Sequence, residues 1–233
     1  MHRLTHRVID RQWTSDGFVL RTRVGPAATD IGMLATYHWT ADGDALVLQV
    51  AVEPEGDWTQ PLPRLGLRMA LPADIDDVEW FGGGTGEGYV DSTQAAVIGR
   101  YRRSVHDLQT PYVYPQENGN RLGVRWAQLL GPANGVRVEG DPTFDSPSVG
   151  GRAKTSIQPG TPVTYGPATG CSCSCSSTST SRRPASARLY ADQASCPSTN
   201  CTPPPATWTV RLIPLASGAV KANGTPPRVP RNP

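Results

Sequence analysis

Apolar and β-branched residues recur at every second place, or in short runs, through RVIDRQW, DGFVLRTRV, IGMLATYHW, DALVLQVAVEP, RLGLRMALP and DVEWFGG, and each run is bounded by Gly, Pro, Asp or Asn. A period of two is the period of a pleated strand, so this pattern leaves little room for helix. Ser15-Asp16-Gly17 and Ala41-Asp42-Gly43 stand between runs as hairpin turns, because glycine accepts positive φ without a Cβ penalty. RLGVRWAQL and NGVRVEG add two strands, giving roughly eight to ten before Asp145 on the spacing of a β-sandwich. The 24 glycines and 23 prolines favour short strands and tight turns over long helices, and Ser92 to Ala96 has room for one turn. The expected class is all-β.

The 22 basic and 20 acidic residues nearly cancel to +2, with no basic block or stripe to gather phosphates. Nucleic acid and anionic membrane are therefore not expected partners. No apolar run approaches the roughly 20 residues of a spanning helix, and MHRLTHRVID lacks the apolar stretch of a signal peptide, so the expected location is the cytoplasm.

The composition changes abruptly at Ser146. Before it, acidic and basic residues mix, five of the six tryptophans occur and cysteine is absent. Between Ser146 and Pro205 lie all five cysteines, many Ser, Thr and Pro, and Val149, Ile157, Val163 and Leu189 as the large aliphatics. Six sizeable apolar side chains, counting Tyr165 and Tyr190, cannot offset the conformational entropy of sixty residues, so this segment is expected to be disordered. TWTVRLIPL then reads as a strand. The resulting division is a sandwich domain over 1–145, a low-complexity segment over 146–205, a residual strand over 206–216 and a disordered tail over 217–233.

Cys171, Cys173 and Cys175 alternate with serine and lack the C-x₂-C pairs and partnering His of a tetrahedral zinc site. An odd number of cysteines without a signal peptide also argues against a disulfide framework. No metal site is expected in the chain.

Two long motifs then appear in order. Trp80-Phe81-Gly82-Gly83-Gly84-Thr85-Gly86-Glu87-Gly88-Tyr89-Val90-Asp91 follows the pattern W-[FL]-G-x-G-x-x-E-x-Y-x-D, and Thr110 to Gly119 reads T-P-Y-V-x-P-x-E-N-G. Together with ATDIGMLATYHW ahead of a D-G turn, they make Arg3 to Asp145 resemble the C-terminal, small-chain domain of bacterial β-galactosidases of glycoside hydrolase family 2. Gly83 and Gly86 depart from the family, whose members commonly carry a longer side chain and a proline there. The resemblance implies a galactose-mutarotase-like β-supersandwich, here with a disordered insertion-like segment near the C-terminus. It implies that the domain closes one side of an active site for terminal β-D-galactosides such as lactose, in enzymes that are usually oligomers. It also implies magnesium and sodium at sites on the catalytic barrel, and no cofactor in this chain.

Retaining glycoside cleavage needs two carboxyl groups about 5–5.5 Å apart. In the family both come from a (β/α)₈ barrel, and nothing in this chain alternates strand with helix over the roughly 250 residues such a barrel occupies. No catalytic residue is therefore assigned, and a barrel-bearing large chain is the expected partner. The alternatives are a stand-alone carbohydrate-binding or mutarotase-like module and a non-functional fragment, whose unpaired edges would make it poorly soluble.

Tyr112, Tyr114, Glu117 and Asn118 form the densest cluster able to stack on a sugar ring and bond its hydroxyls, and they are the candidate carbohydrate-binding residues. Their alternative role is as turn anchors satisfied by the backbone. Trp80, Gly82, Gly84, Glu87, Tyr89 and Asp91 are read as structural; without a helix after them, the glycines are not a phosphate cradle. His106 with Glu117 is the one acid–base pair a mutarotase reading would use. Trp13, Trp39, Trp58, Trp80 and Trp126 are expected mostly in the core or rim.

Translation from the third base of each codon, with GC-rich codon choices, turns the cysteine-rich stretch into an alternating QLQLQLHLDL and leads directly into Ala206. Both edges of the segment lie at proline codons, where runs of C are easily miscounted. Residues 146–205 are accordingly expected to come from a local frameshift.

Overall fold

Both Asp-Gly turns close hairpins, but positive φ is used at Gly43 alone; Gly17 is required instead by close approach, because a Cβ there would collide with the Trp39 carbonyl oxygen. Thr14 N–H donates to the Gly17 carbonyl at 2.9 Å, and Gly43 takes φ +59° between two paired strands. In the computed structural model the described residues are 4–59, 62, 65–67, 69, 71–72, 74–89, 92–108, 110, 119–146 and 202–216. Nine strands occur among them: β1 (Leu4–Trp13), β2 (Gly17–Pro26), β3 (Gly32–Asp42), β4 (Ala45–Glu55), β5 (Asp77–Gly84), β6 (Val97–Ser104), β7 (Arg121–Leu130), β8 (Asn134–Ser146) and β9 (Ala206–Ala216). The all-β class expected from the alternation is what the chain adopts. Residues 147–201, which hold all but the first and the last four residues of the expected low-complexity segment, and the tail from 217 lie outside the described residues.

The strands form one antiparallel sheet in the order β1-β2-β3-β4-β9-β8-β7-β5-β6. β9 lies at its centre. Leu48 stands opposite Val210 on one flank, and Val138 opposite Leu212 on the other. The strand read as residual therefore joins the two halves of the molecule.

Alternation decides which face is buried. The row Trp80, Ala127, Val138, Leu212 and Leu46 crosses five strands through successive pairings; Trp80, Ala127 and Val138 are no more than 1% exposed, and burial fades through half-buried Leu212 to exposed Leu46. The core continues through Val50, Val52, Trp208 and Phe144.

RLGLRMALP, which alternates like a strand, has no strand assignment among its described residues. Leu65, Leu67, Met69 and Leu71 instead pack against the core as its cover, together with Leu62. Burial of every second residue produces the same pattern as a ladder strand, and Pro61, Pro63 and Pro72 deprive this stretch of backbone donors. Conversely, β6 has no clear apolar alternation because it is an edge strand with exposed Val97 and Ile98. Ser92 to Ala96 forms turns, with Ser92 N–H on Tyr89 O and Ala96 N–H on Thr93 O.

Trp58, Trp80 and Trp208 are buried. Trp126 is half-buried under Arg137, whose guanidinium lies 4.4 Å from the ring centroid. Trp39 is half-buried at the core margin. Trp13 departs from the core-or-rim expectation: it lies on edge strand β1 and is 81% exposed.

Candidate functional site

The glycine-rich motif begins as the end of β5 and turns into a loop that three other segments grip. Trp80 anchors it. Its indole N–H donates to the Gly83 carbonyl at 3.0 Å, and its ring lies 5.5 Å from that of Tyr101. Close approach explains two of the glycines. A Cβ on Gly84 would come within 2.6 Å of the Tyr101 ring, and one on Gly82 within 2.8 Å of the Val124 Cα.

Beyond Gly84 the loop is held by polar contacts. Gly88 N–H donates to Asn120 O at 2.9 Å, and Asn120 Nδ2 returns a bond to Gly88 O at 2.7 Å. Glu87 accepts hydrogen bonds from the Tyr89 hydroxyl and from Thr110 Oγ1. Beneath them is Arg121, only 4% exposed. Its Nη1 donates to Gly119 O at 2.7 Å and Leu108 O at 3.1 Å, while Nη2 reaches Thr85 O at 3.4 Å. Its guanidinium also lies over Trp80, 5.4 Å from the ring centroid. Burial pushes the Arg121 pKa down, the Glu87 charge opposes that shift, and Arg103 adds to it.

This is the chemistry of a clamp. A carboxylate that accepts from two hydroxyls and faces a buried cation is suited to holding a loop rather than to exchanging protons. The motif residues Trp80, Gly82, Gly84, Glu87 and Tyr89 thus have positioning contacts, while Asp91 lies outside the described residues.

Thr110 and Gly119, both held by this clamp, flank the stretch that carries Tyr112, Tyr114, Glu117 and Asn118. Those four candidate residues lie outside the described residues. The suggested pair of His106 with Glu117 is undescribed at Glu117; His106 itself is 99% exposed and 3.8 Å from Asp107. Asn120 and Arg121, the most buried polar members of the clamp, did not stand out in the sequence. The available signal was the Asn-Arg pair at the mouth of β7.

Residues 4–186 match the family described as beta galactosidase small chain. The chain belongs to the β-galactosidase small-chain family. The match runs beyond Asp145, where the motif-based resemblance was drawn. Among curated relatives, a β-galactosidase of Arthrobacter sp. strain B7 is 36% identical over 143 residues, covering 61% of this chain and 14% of its own length. One from Vibrio cholerae is 49% identical over 100 residues, covering 42% of this chain and 10% of its own. One from Halalkalibacterium halodurans is 34% identical over 124 residues, covering 47% and 12%. The small-chain sequence thus spans 10–14% of the length of these three β-galactosidases. No helix among its described residues is long and apolar enough to cross a membrane. Nor do those residues gather three or more His, Cys, Asp or Glu into a group able to hold a metal.

Proposed function

We propose that this chain is the C-terminal module of a glycoside hydrolase family 2 β-galactosidase, and that it forms one wall of an active site whose catalytic carboxylates reside on a separate barrel. The reaction is hydrolysis of terminal β-D-galactosides, lactose among them, by the assembled enzyme in the cytoplasm. Magnesium and sodium belong to the barrel in this reading. The chain contributes binding and orientation.

The observation that carries the reading is the clamp. Glu87 and Arg121 tie down Thr110 and Gly119, the residues on either side of the sugar-compatible stretch. Holding both flanks lowers the ordering cost of placing Tyr112 and Tyr114 against a sugar's aliphatic C–H face, and Glu117 and Asn118 against its hydroxyls. The small share of each relative that the matched residues span supports bond cleavage by a larger catalytic part that lies outside them.

The test is a chimera. The matched 143 residues of the Arthrobacter relative are replaced by the corresponding residues of this chain, and hydrolysis of o-nitrophenyl-β-galactoside is measured. Hydrolysis by the chimera, none by the isolated chain, and a KM raised more than kcat is lowered by Tyr112→Ala with Glu117→Ala are the expected results. A chimera that melts cooperatively yet hydrolyses nothing would refute the assignment. Galactose binding by the isolated chain would favour the stand-alone binding module.

A further inference from the structure

We propose that β1 is a self-pairing edge, through which two copies of this chain join their sheets antiparallel about a two-fold axis at the β1 bulge. Among the described residues β1 is the first strand of the sheet and pairs with β2 alone. All ten of its residues are exposed, including Leu4, Val8, Ile9 and Trp13 at 53%, 54%, 50% and 81%. An edge of this length and apolar content is a template for another strand.

The sequence of β1 complements itself in one register. Its bulge, between Val8 and Asp10, changes the alternation of faces. Leu4, His6, Val8, Arg11 and Trp13 stand opposite Pro26, Val24, Thr22, Leu20 and Phe18 on one face; Thr5, Arg7, Asp10 and Gln12 share the other. Because of that change, a second β1 centred on the bulge places Leu4 beside Trp13 of the second copy, and Thr5 beside its Gln12. Arg7 then meets Asp10 of the second copy, and by symmetry the same pair forms twice. Each of these pairs lies on a common face, as direct antiparallel neighbours must. A strand without the bulge would turn these partners to opposite faces.

The charges favour this register over lateral slips. Within its own sheet Arg7 stands opposite another cation, Arg23, whose guanidinium is already engaged by Glu55 at 2.9 Å. Asp10 stands opposite Arg21 within its own sheet and accepts the Arg11 amide through Oδ1 at 2.8 Å. His6 beside Arg11 of the second copy is the one pairing without attraction. Apolar contacts at both ends and the two centred ion pairs set the alignment.

Light scattering coupled to gel filtration, in reducing buffer so that the five cysteines cannot cross-link, tests this directly. Wild type should run as a dimer of twice the 24.9 kDa chain at concentrations from about 1 to 100 µM. Arg7→Asp and Asp10→Arg should each weaken dimerisation roughly tenfold or more, since each replaces two attractions by two repulsions. The double variant Arg7→Asp/Asp10→Arg should restore the dimer, and unchanged far-ultraviolet dichroism separates loss of pairing from loss of fold. A monomeric wild type, assemblies larger than a dimer, or a double variant no better than the single ones would overturn the proposal.

Discussion

Replacing Arg121 by methionine isolates the energetic role of the clamp. The substitution roughly preserves volume while removing a buried fork that bonds Gly119 O and Leu108 O at 2.7 and 3.1 Å and reaches Thr85 O at 3.4 Å. Hydrogen bonds from a charged donor contribute about 1.5–3 kcal/mol each, so the two short ones amount to roughly 3–6 kcal/mol, with little from the long one. Part of that is regained because a cation no longer has to be buried, a cost visible in the downward pull of burial on the Arg121 pKa and moderated by Glu87. A net loss of about 2–4 kcal/mol follows. In urea, where a domain of this size loses about 2–3 kcal/mol of stability per molar, the midpoint should fall by about 1–2 M at constant slope. Tryptophan fluorescence is a suitable probe, because the Trp80 ring lies directly beneath the guanidinium. Arg121→Lys keeps the charge without the fork and should recover less than half of the loss. A methionine variant within about 0.5 kcal/mol of wild type, below the usual cost of a single lost hydrogen bond, would refute the reasoning. Full rescue by lysine would show that charge alone matters.

Three further expectations follow from the same geometry. Gly82→Ala should cost about 1–3 kcal/mol in urea unfolding, because its Cβ would lie 2.8 Å from the Val124 Cα, whereas Gly86→Ala, with nothing within 4 Å, should be neutral within about 0.5 kcal/mol. Asp16 titrates below its ordinary value of 3.8, chiefly because the Thr14 hydroxyl donates to it at 2.7 Å, then through its backbone bond and the His38 charge. Its stabilising contribution is therefore present above that value and lost as pH falls through the lower folded pKa, so Thr14→Val should move the Asp16 carboxyl midpoint upward in an NMR titration, and an unmoved midpoint would disprove the cause. Val210→Asp would bury an unpaired charge in the central strand and should cost more than about 4 kcal/mol, read as loss of a cooperative thermal transition; a retained transition near the wild-type midpoint would contradict the central role of β9.

Local pattern made much of the sheet legible. The D-G turns and flanking alternation identify the β1–β2 and β3–β4 hairpins because turn chemistry and register are properties of neighbouring residues. TWTVRLIPL is likewise recognisable as a strand. Its place between β4 and β8 is not, because pairing with partners more than sixty residues away leaves no local mark. RLGLRMALP shows the converse limit: one-sided burial imposes a period of two whether or not a ladder forms. At the site, Trp80, Gly82, Gly84, Glu87 and Tyr89 are readable because they form a dense motif. Arg121 is hidden because a single arginine at the start of a strand resembles a surface residue, and only tertiary contact places three carbonyls around it.

The layout of the sheet separates the exposed edge strand from the buried clamp. Edge β1 lies four strands from β9 on one side, and the clamp lies on the other, where β5, β6 and β7 meet. Among the described strands, contacts run between adjacent neighbours, so the ladder path from β1 to the motif loop crosses the centre. β9 is that centre, and its Val210 and Trp208 face the core on the same side as Trp80. A change that disorders β9 should therefore disturb the clamp and the edge together, whereas changes confined to Arg7 or Arg121 should act on one end and combine additively. The motif loop and the edge proposed to pair with a second copy thus lie in opposite halves of the sheet.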